Sequence, residues 1–332
     1  MFKNFLRATA GIAGKHIAPV ARKLDNSLTV FVFHDVSDDP APFTRENDIC
    51  VSPELFRFQV GFISENFNVV SAESWLKGDT PKRAAMITFD DGYHGIFQNA
   101  LPILRDMRQP SVTFMNMGPV IAGNYWAERV IFLCQKVESF QQFLVEHNIA
   151  PIKNVKHAHL ECTQEIVDLY EKEQGDDYLL DMSEYVGPYA SLEDLQEADG
   201  DPLVTFGSHL YTHLNVRNLP GEVLKEEYQK NSTALSRFQR YLPLFAFPFG
   251  QPGACFSMDQ ARFLLKIGAI RLFTAWPRPN PDHSATIIDR IPLGSKHNCD
   301  RRMWFEVVKY PIIEILRGSA ATQGVELEAV ES

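Results

Sequence analysis

Ala84-Ala85-Met86-Ile87-Thr88-Phe89-Asp90-Asp91-Gly92 is a short apolar run that stops abruptly at two adjacent acids and a glycine. An uninterrupted apolar run of this length marks a strand buried on both faces, and such strands belong in parallel sheets. Outward from it the same pattern repeats at 28–33 (LTVFVF), 111–115, 203–206, 244–247, 269–274 and 286–288. Helix-length segments separate these strands. Ser52-Pro53-Glu54 supplies an N-cap, a first-turn proline and a first-turn acid, and Leu55, Phe58 and Phe62 follow at helical spacing. A helix over 97–107 must carry Pro102 near its start or kink there, and two more span 222–240 and 257–267. Strands alternating with helices imply a parallel sheet with helices outside, and about seven such strands make a barrel the economical closure. The predicted fold is α/β, a deformed (β/α)7-type barrel.

The alternation fails over 126–201, which is polar and carries acidic runs such as Glu171-Lys172-Glu173-Gln174-Gly175-Asp176-Asp177. This stretch reads as a mostly helical insertion over one rim of the barrel and not as a second domain. The chain then divides into an N-terminal amphipathic segment (1–27), the barrel (28–317) and a flexible acidic tail (318–332).

Composition narrows the function. The 332 residues include 32 Lys and Arg against 42 Asp and Glu, a net charge of −10, and 45% are hydrophobic. That apolar share excludes a disordered chain. The acidic balance argues against a nucleic-acid partner, which calls for a basic surface. No charge-free apolar run reaches the roughly 18 residues of a membrane span. The five cysteines (Cys50, Cys134, Cys162, Cys255, Cys299) are odd in number and dispersed, unlike a secreted disulfide framework, and predict a cytoplasmic protein with reduced thiols. The first residues are basic, but the run after them is too short and too rich in small residues for a secretory signal. It is read as an amphipathic segment that rests on a membrane, as a peripheral contact, or on the domain itself. The oligomeric state is not legible.

Four polar clusters stand where strands run out: Phe33-His34-Asp35-Val36, Thr88-Phe89-Asp90-Asp91-Gly92, Gly207-Ser208-His209-Leu210-Tyr211-Thr212-His213 and Phe247-Pro248-Phe249-Gly250. In a parallel barrel all strand C-termini open on one face, where functional groups collect. His209 and His213 are four apart, so one tight turn points both rings the same way. Two imidazoles and a carboxylate form an open three-ligand site for Zn2+ or a similar ion, with Co2+, Ni2+ or Fe2+ as alternatives. Of the paired acids, one can bind the cation while the other serves as a base. Alone, a His-x-x-x-His is more often structural, and an Asp-Asp-Gly is usually a turn. The weight lies in their combination, in chain order, at strand ends.

That combination resembles the polysaccharide deacetylase family, the NodB-type carbohydrate esterases. The family's Thr-Phe-Asp-Asp-Gly stands unaltered at Thr88 to Gly92, and its His-Ser/Thr-x-x-His motif matches at His209 and His213. A Pro-Tyr-Gly motif is represented by Pro248-Phe249-Gly250, and an Asp-Arg-x-Pro motif by Asp289-Arg290-Ile291-Pro292. The resemblance runs over roughly 28–315. It implies a metal-dependent hydrolase that removes an N-acetyl group from an N-acetylhexosamine-containing saccharide or glycolipid in surface-polysaccharide biosynthesis. Asp90 would be the general base, Asp91, His209 and His213 the metal ligands, and the backbone N–H near Phe249 an oxyanion donor.

Three departures from the family pattern matter. Leu210 replaces the usual Ser/Thr after the first metal histidine, leaving Thr212 or Ser208 to brace the loop. Ala246 stands where an arginine usually partners the base, and Arg290 is the natural substitute. The late Leu-x-His that carries the general acid is absent; His34, in a Phe-His-Asp-Val resembling the early Tyr-His-Asp-Val of the exopolysaccharide subgroup, is the first replacement and His297 the second. These departures keep two other readings open, a carbohydrate-binding pseudoenzyme on the same fold and an amidase with a non-sugar substrate. His94 reads as a surface histidine, His157 and His159 as solvated, and Trp126 and Trp276 as candidates to stack on a sugar ring.

Overall fold

A computed structural model describes residues 17–122, 126–149 and 164–317. The strands are β1 (Leu28–Phe33), β2 (Asp35–Val36), β3 (Cys50–Val51), β4 (Asn68–Val69), β5 (Ala84–Phe89), β6 (Ser111–Met115), β7 (Val204–Ser208), β8 (Tyr241–Ala246), β9 (Arg271–Phe273), β10 (Ile287–Ile288) and β11 (Arg290–Pro292). The main sheet is parallel throughout and runs β11-β1-β5-β6-β7-β8-β9-β10, with β4 beside the start of β5. Its two ends, β10 and β11, are consecutive pieces of one run, broken only at Asp289. One piece pairs with β9 and the other with β1, so this run closes the barrel as its seventh stave. The α/β barrel expected from the strand pattern is the fold observed.

Alternation along each strand sorts the core into layers. Leu28 and Val30, Ala84 and Met86, Val112 and Phe114, Leu244 and Ala246, Phe273 and Ile288 pack together as one interior cluster. Phe31, Phe33, Ala85, Ile87 and Phe89 point outward to the helices. Gly207 has the inward parity on β7, and a Cβ there would come within 2.6 Å of the Phe114 ring, so glycine makes room for the lumen's aromatic filling.

The break at Asp289 is filled by a side chain. Asn280 Nδ2 donates to the Asp289 and Leu28 carbonyls at 2.9 and 3.0 Å, and Asn280 Oδ1 accepts from the Asp289 N–H at 2.7 Å. Asn280 thus stands in for a strand neighbour at the seam, buried from water.

Several sequence expectations need adjustment. Ser52 does cap the helix Pro53–Asn66, accepting from Leu55 N–H. The buried face, however, is Phe56, Gln59, Val60 and Ile63 with Phe62, while Phe58 is exposed. Gln59 is tolerated inside because its amide donates to the Gly294 and His297 carbonyls. Pro102 sits in the first turn of the helix Leu101–Met107, which follows a π-helical stretch, Ile96–Ala100. The helix expected over 222–240 ends earlier, as Gly221–Leu235.

Within 126–201 lie the helices Trp126–Lys136, Glu138–Glu146, Gln164–Gln174, Tyr178–Val186 and Leu192–Asp199. The first four share a cluster that includes Val130, Leu133, Phe140, Phe143 and Tyr185, joined by Phe43 of the helix Pro42–Glu46 and by Tyr93 after β5, while Leu195 and Ala198 of the fifth join the barrel's outer core. The helices therefore rest on the rim where the strand C-termini open. At the opposite end, the helix Ala18–Asp25 buries Val20 and Leu24, and its Lys23 pairs with Glu314 of the helix Asp300–Arg317 at 2.7 Å. This part of the N-terminal segment rests on the domain; 1–16 and the tail 318–332 lie outside the described residues, as do His157 and His159. No helix among the described residues is long and apolar enough to cross a membrane.

Replacing Asn280 by Ala leaves the buried N–H of Asp289 without its partner and takes one of the donors from the Asp289 and Leu28 carbonyls. An orphaned group costs roughly 1–3 kcal/mol, so Asn280→Ala is expected to lose about 2–4 kcal/mol in a urea denaturation measurement.

Candidate active site

Inward parity carried one step past the strand ends specifies much of the site. On β5, residues 84, 86 and 88 face the lumen, and Asp90 is next in that series; on β7, 205 and 207 are followed by His209; on β1, 28, 30 and 32 by His34; on β6, 112 and 114 by Asn116. On β11 the inward residue is Arg290, fully buried inside the barrel, with its guanidinium carbon 5.2 Å from the centre of the Phe114 ring. Its Nη1 and Nη2 donate to the two oxygens of Asp90 at 2.6 and 2.7 Å, while Nε donates to the Thr274 carbonyl at 2.8 Å. Burial pushes the Asp90 carboxyl up, but the charges of Arg290 and His209 outweigh it and hold the group below the usual carboxylate range.

Asp91 should point the opposite way from Asp90. It does not, because its φ of +71° is left-handed, a conformation that Asp tolerates better than most side chains. The chain turns there, with Gly92 also at positive φ, and both carboxylates reach the same mouth. Asp91 Oδ1 lies 3.4 Å from His209 Nε2 and 3.3 Å from His213 Nε2. Burial again opposes ionisation, and His213 and His209 again outweigh it.

The three side chains fit a cation. Their ligand atoms lie within 4.8 Å of one another and all three residues are buried. A tetrahedral zinc site with bonds of about 2.05 Å separates neighbouring ligand atoms by about 3.3 Å, matching the two Asp91–imidazole separations. His209 Nδ1–H donates to the Ala246 carbonyl at 2.8 Å, which fixes the ring with Nε2 facing Asp91. Asp91, His209 and His213 would hold the ion.

The loop that carries both histidines is held by residues that sequence reasoning missed. Asn116 Nδ2 donates to the His209 and Leu210 carbonyls. Glu227 accepts from Thr212 N–H and Oγ–H at 2.9 and 2.8 Å, and Asn231 donates to Ser208 Oγ at 2.8 Å. Thr212 and Ser208 are thus both engaged, with Glu227 and Asn231 supplying the other half of each contact. Leu210 itself is fully buried beside Val216 and Phe245, so its apolar side chain anchors the loop by packing. A usable signal existed. Leu224, Tyr228, Asn231 and Leu235 form the buried stripe of the helix Gly221–Leu235, and an asparagine on such a stripe needs a partner.

Phe249 has a φ of +61°, and its half-buried ring lies 4.7 Å from that of His213. His34 is half-buried at the end of β1, and its charge is felt by Asp35, Asp90 and Asp91. His297 is elsewhere. It is buried against the outer helices, where its Nδ1 accepts from Gly294 N–H at 3.0 Å and its Nε2 lies 3.7 Å from Glu306. His297 lies in the turn after β11, and its contacts are with Gly294, Glu306 and Gln59. His94 is paired with Asp194 at 3.0 Å. Trp276 is half-buried, 6.4 Å ring to ring from Tyr310, and the side chain of Trp126 lies outside the described residues.

The family profile described as polysaccharide deacetylase matches residues 77–261, more than half of the chain. This chain belongs to the polysaccharide deacetylase family. Family membership makes it a carbohydrate deacetylase, a hydrolase of N-acetyl groups. No curated protein matches its sequence significantly. Solved structures of similar fold include IcaB from Ammonifex degensii, at 16% identity, covering 84% of this chain and 97% of IcaB with a TM-score of 0.57. The deacetylase PplD of Streptococcus pyogenes, solved with acetate, is 13% identical and covers 83% of this chain and 96% of its own, with a TM-score of 0.55. A de-N-acetylase from Aggregatibacter actinomycetemcomitans is 17% identical over 84% of this chain and 99% of its own, with a TM-score of 0.53.

The Asp90–Arg290 pair makes this deacetylase sensitive to one substitution. Arg290→Met leaves a buried carboxylate without its counter-ion, for which the expected loss is about 3–5 kcal/mol at neutral pH. In the wild type the folded-state pKa of Asp90 lies below its unfolded value of about 3.9, so the pair's stabilisation is complete above that value and fades as pH falls through the lower one. In the variant burial is opposed by the histidines alone, without the Arg290 charge and hydrogen bonds, and that pKa rises. Urea denaturation at pH 7 and pH 5 should therefore show the deficit shrinking at the lower pH.

Proposed function

We propose that this chain is a divalent-metal-dependent N-deacetylase acting on an N-acetylhexosamine unit of a saccharide or glycolipid, in the cytoplasm, during surface-polysaccharide assembly. The observation that carries the reading is the separation of duties between two adjacent acids: Asp91 Oδ1 lies 3.4 and 3.3 Å from the two imidazoles, while Asp90 gives both its oxygens to Arg290 and stands 3.9 Å from His209 alone. A divalent ion held by Asp91, His209 and His213 supplies Lewis-acid polarisation of the amide carbonyl and lowers the pKa of an attacking water.

The chain's own residues supply the rest. Asp90 takes the water proton, using lone pairs that its two contacts with Arg290 leave available. Arg290 fixes the orientation of that carboxylate and limits its basicity. The main-chain N–H near Phe249 is the donor assigned to the developing oxyanion. An amine leaves an acyl centre only when protonated, and His34 is the group assigned to deliver that proton.

The test is acetate release from N-acetylglucosamine oligomers, nucleotide sugars and lipid-linked sugars, after chelation and reconstitution with Zn2+, Co2+ or Ni2+. Activity should depend on the added ion. Asp90→Asn should lower kcat by about 10²–10⁴-fold while retaining the metal. His34→Gln should lower kcat more for a poor leaving amine than for an activated anilide, whose leaving group needs no proton. Stoichiometric metal binding without hydrolysis of any of these substrates would favour a carbohydrate-binding pseudoenzyme instead.

A further inference from the structure

Glu128 is a buried acid that the proposed reaction does not use. It stands on the insertion helix Trp126–Lys136 with 2% of its surface exposed. Its Oε1 accepts from the Tyr93 hydroxyl at 2.5 Å and its Oε2 from the Tyr189 hydroxyl at 3.2 Å. The two phenol rings stack with centroids 5.7 Å apart, and the two residues form an isolated antiparallel bridge.

Tyr93 lies two residues beyond Asp91, at the end of the turn that brings both acids to the mouth. The chain around Tyr93 is tied to the insertion on both sides. Ala190 N–H donates to the Gly92 carbonyl at 2.9 Å, and His94 N–H donates to the Pro188 carbonyl at 3.1 Å. Asp91 and Gly92 are held there at φ of +71° and +81°. A left-handed non-glycine residue persists only where its surroundings over-determine it, and these contacts come from the insertion, not from the barrel.

A bland reading is available: two phenols satisfying a buried acid within the helical core. It does not account for why the phenol of Tyr93 belongs to the ligand-bearing turn. We infer that Glu128 is a positioning residue which, by accepting the Tyr93 hydroxyl, anchors the Asp90–Tyr93 turn and so places the Asp91 carboxylate for its cation. The inference rests on the reading of Asp91, His209 and His213 as a cation site. It makes the insertion a working part of that site. In keeping with close quarters, burial and the negative charge of Asp91 both push the Glu128 carboxyl well above the usual range.

The experiment measures Co2+ and Zn2+ affinity of the full chain by competition with a chromophoric chelator, with the Co2+ absorption spectrum as a second readout. Glu128→Ala and Tyr93→Phe should each weaken binding by about 10–100-fold, the range for removing an outer partner of a metal ligand. Glu128→Gln keeps an acceptor for the Tyr93 hydroxyl and should restore affinity to within about threefold of wild type. Tyr185→Phe, whose hydroxyl faces Glu46 and Gln135 within the same insertion cluster, should change nothing. Should Glu128→Ala fail to fold, the near-isosteric Tyr93→Phe carries the test. Wild-type affinity in Tyr93→Phe would overturn the inference, as would equal weakening in Tyr185→Phe, which would mark a general loss of stability. A wild-type chain that binds neither ion would instead overturn the functional reading and this inference with it.

Discussion

Two carboxylates side by side, almost out of water, must both stay charged if the mouth of this barrel is to do chemistry. Like charges so close repel, and burial adds to the cost. The protein meets this by giving each acid its own partners from a different direction. Arg290 rises from inside the lumen to Asp90, and the two imidazoles stand beside Asp91. The left-handed backbone at Asp91 makes the division geometric, because an extended chain would send the second acid outward.

That requirement propagates downward. A buried guanidinium is tolerated only if its donors are used, so the residue after β9 supplies the Thr274 carbonyl and the residue after β5 the Asp90 carboxylate. Phe114 supplies the ring face beneath it, and Phe114 in turn needs the missing side chain at Gly207. It also propagates sideways. Asp91, Leu210, His213 and Phe249 all hold positive φ, each at a cost of order 1–3 kcal/mol. Contacts from Asn116, Glu227 and Asn231, together with the buried Leu210 side chain, offset that strain around the histidine loop.

The barrel was legible because its strands are apolar on both faces, a pattern that survives without knowledge of any partner. β5 and β6 were readable to the residue for that reason, as was the capping of Pro53–Asn66 by Ser52. The direction in which that helix faces was not. Phe58 and Phe56 are chemically alike, and only the barrel's shape decides that Phe56 is the buried one. Split strands were also beyond pattern reading, since β10 and β11 are joined across Asp289 by a distant asparagine. At the site, residues whose chemistry is spelled by type and spacing were findable, namely the paired acids and the paired histidines, and Arg290 was found through the family motif that Asp289 to Pro292 resembles. Asn116, Glu227 and Glu128 act through contacts made by folding, and an acid such as Glu128 within an acidic insertion looks like one more solvated charge until Tyr93 and Tyr189 are found against it.

Strand order also gives the proposed reaction a direction across the mouth. β1 lies between β5 and β11, so His34 stands on the same side as Asp90 and Arg290. His209 comes from β7, on the far side of β5 with β6 between them. An amide lying across the opening thus has a cation-binding side at β5–β7 and a proton-handling side at β1–β11. Those are the two ends that hydrolysis needs: one to polarise the carbonyl, the other to take a proton from water and give one to the amine. His34 is one step past β1 in the inward series, whereas His297 is buried beside Glu306 of the helix Asp300–Arg317, and that placement supports His34 in the proposed reaction.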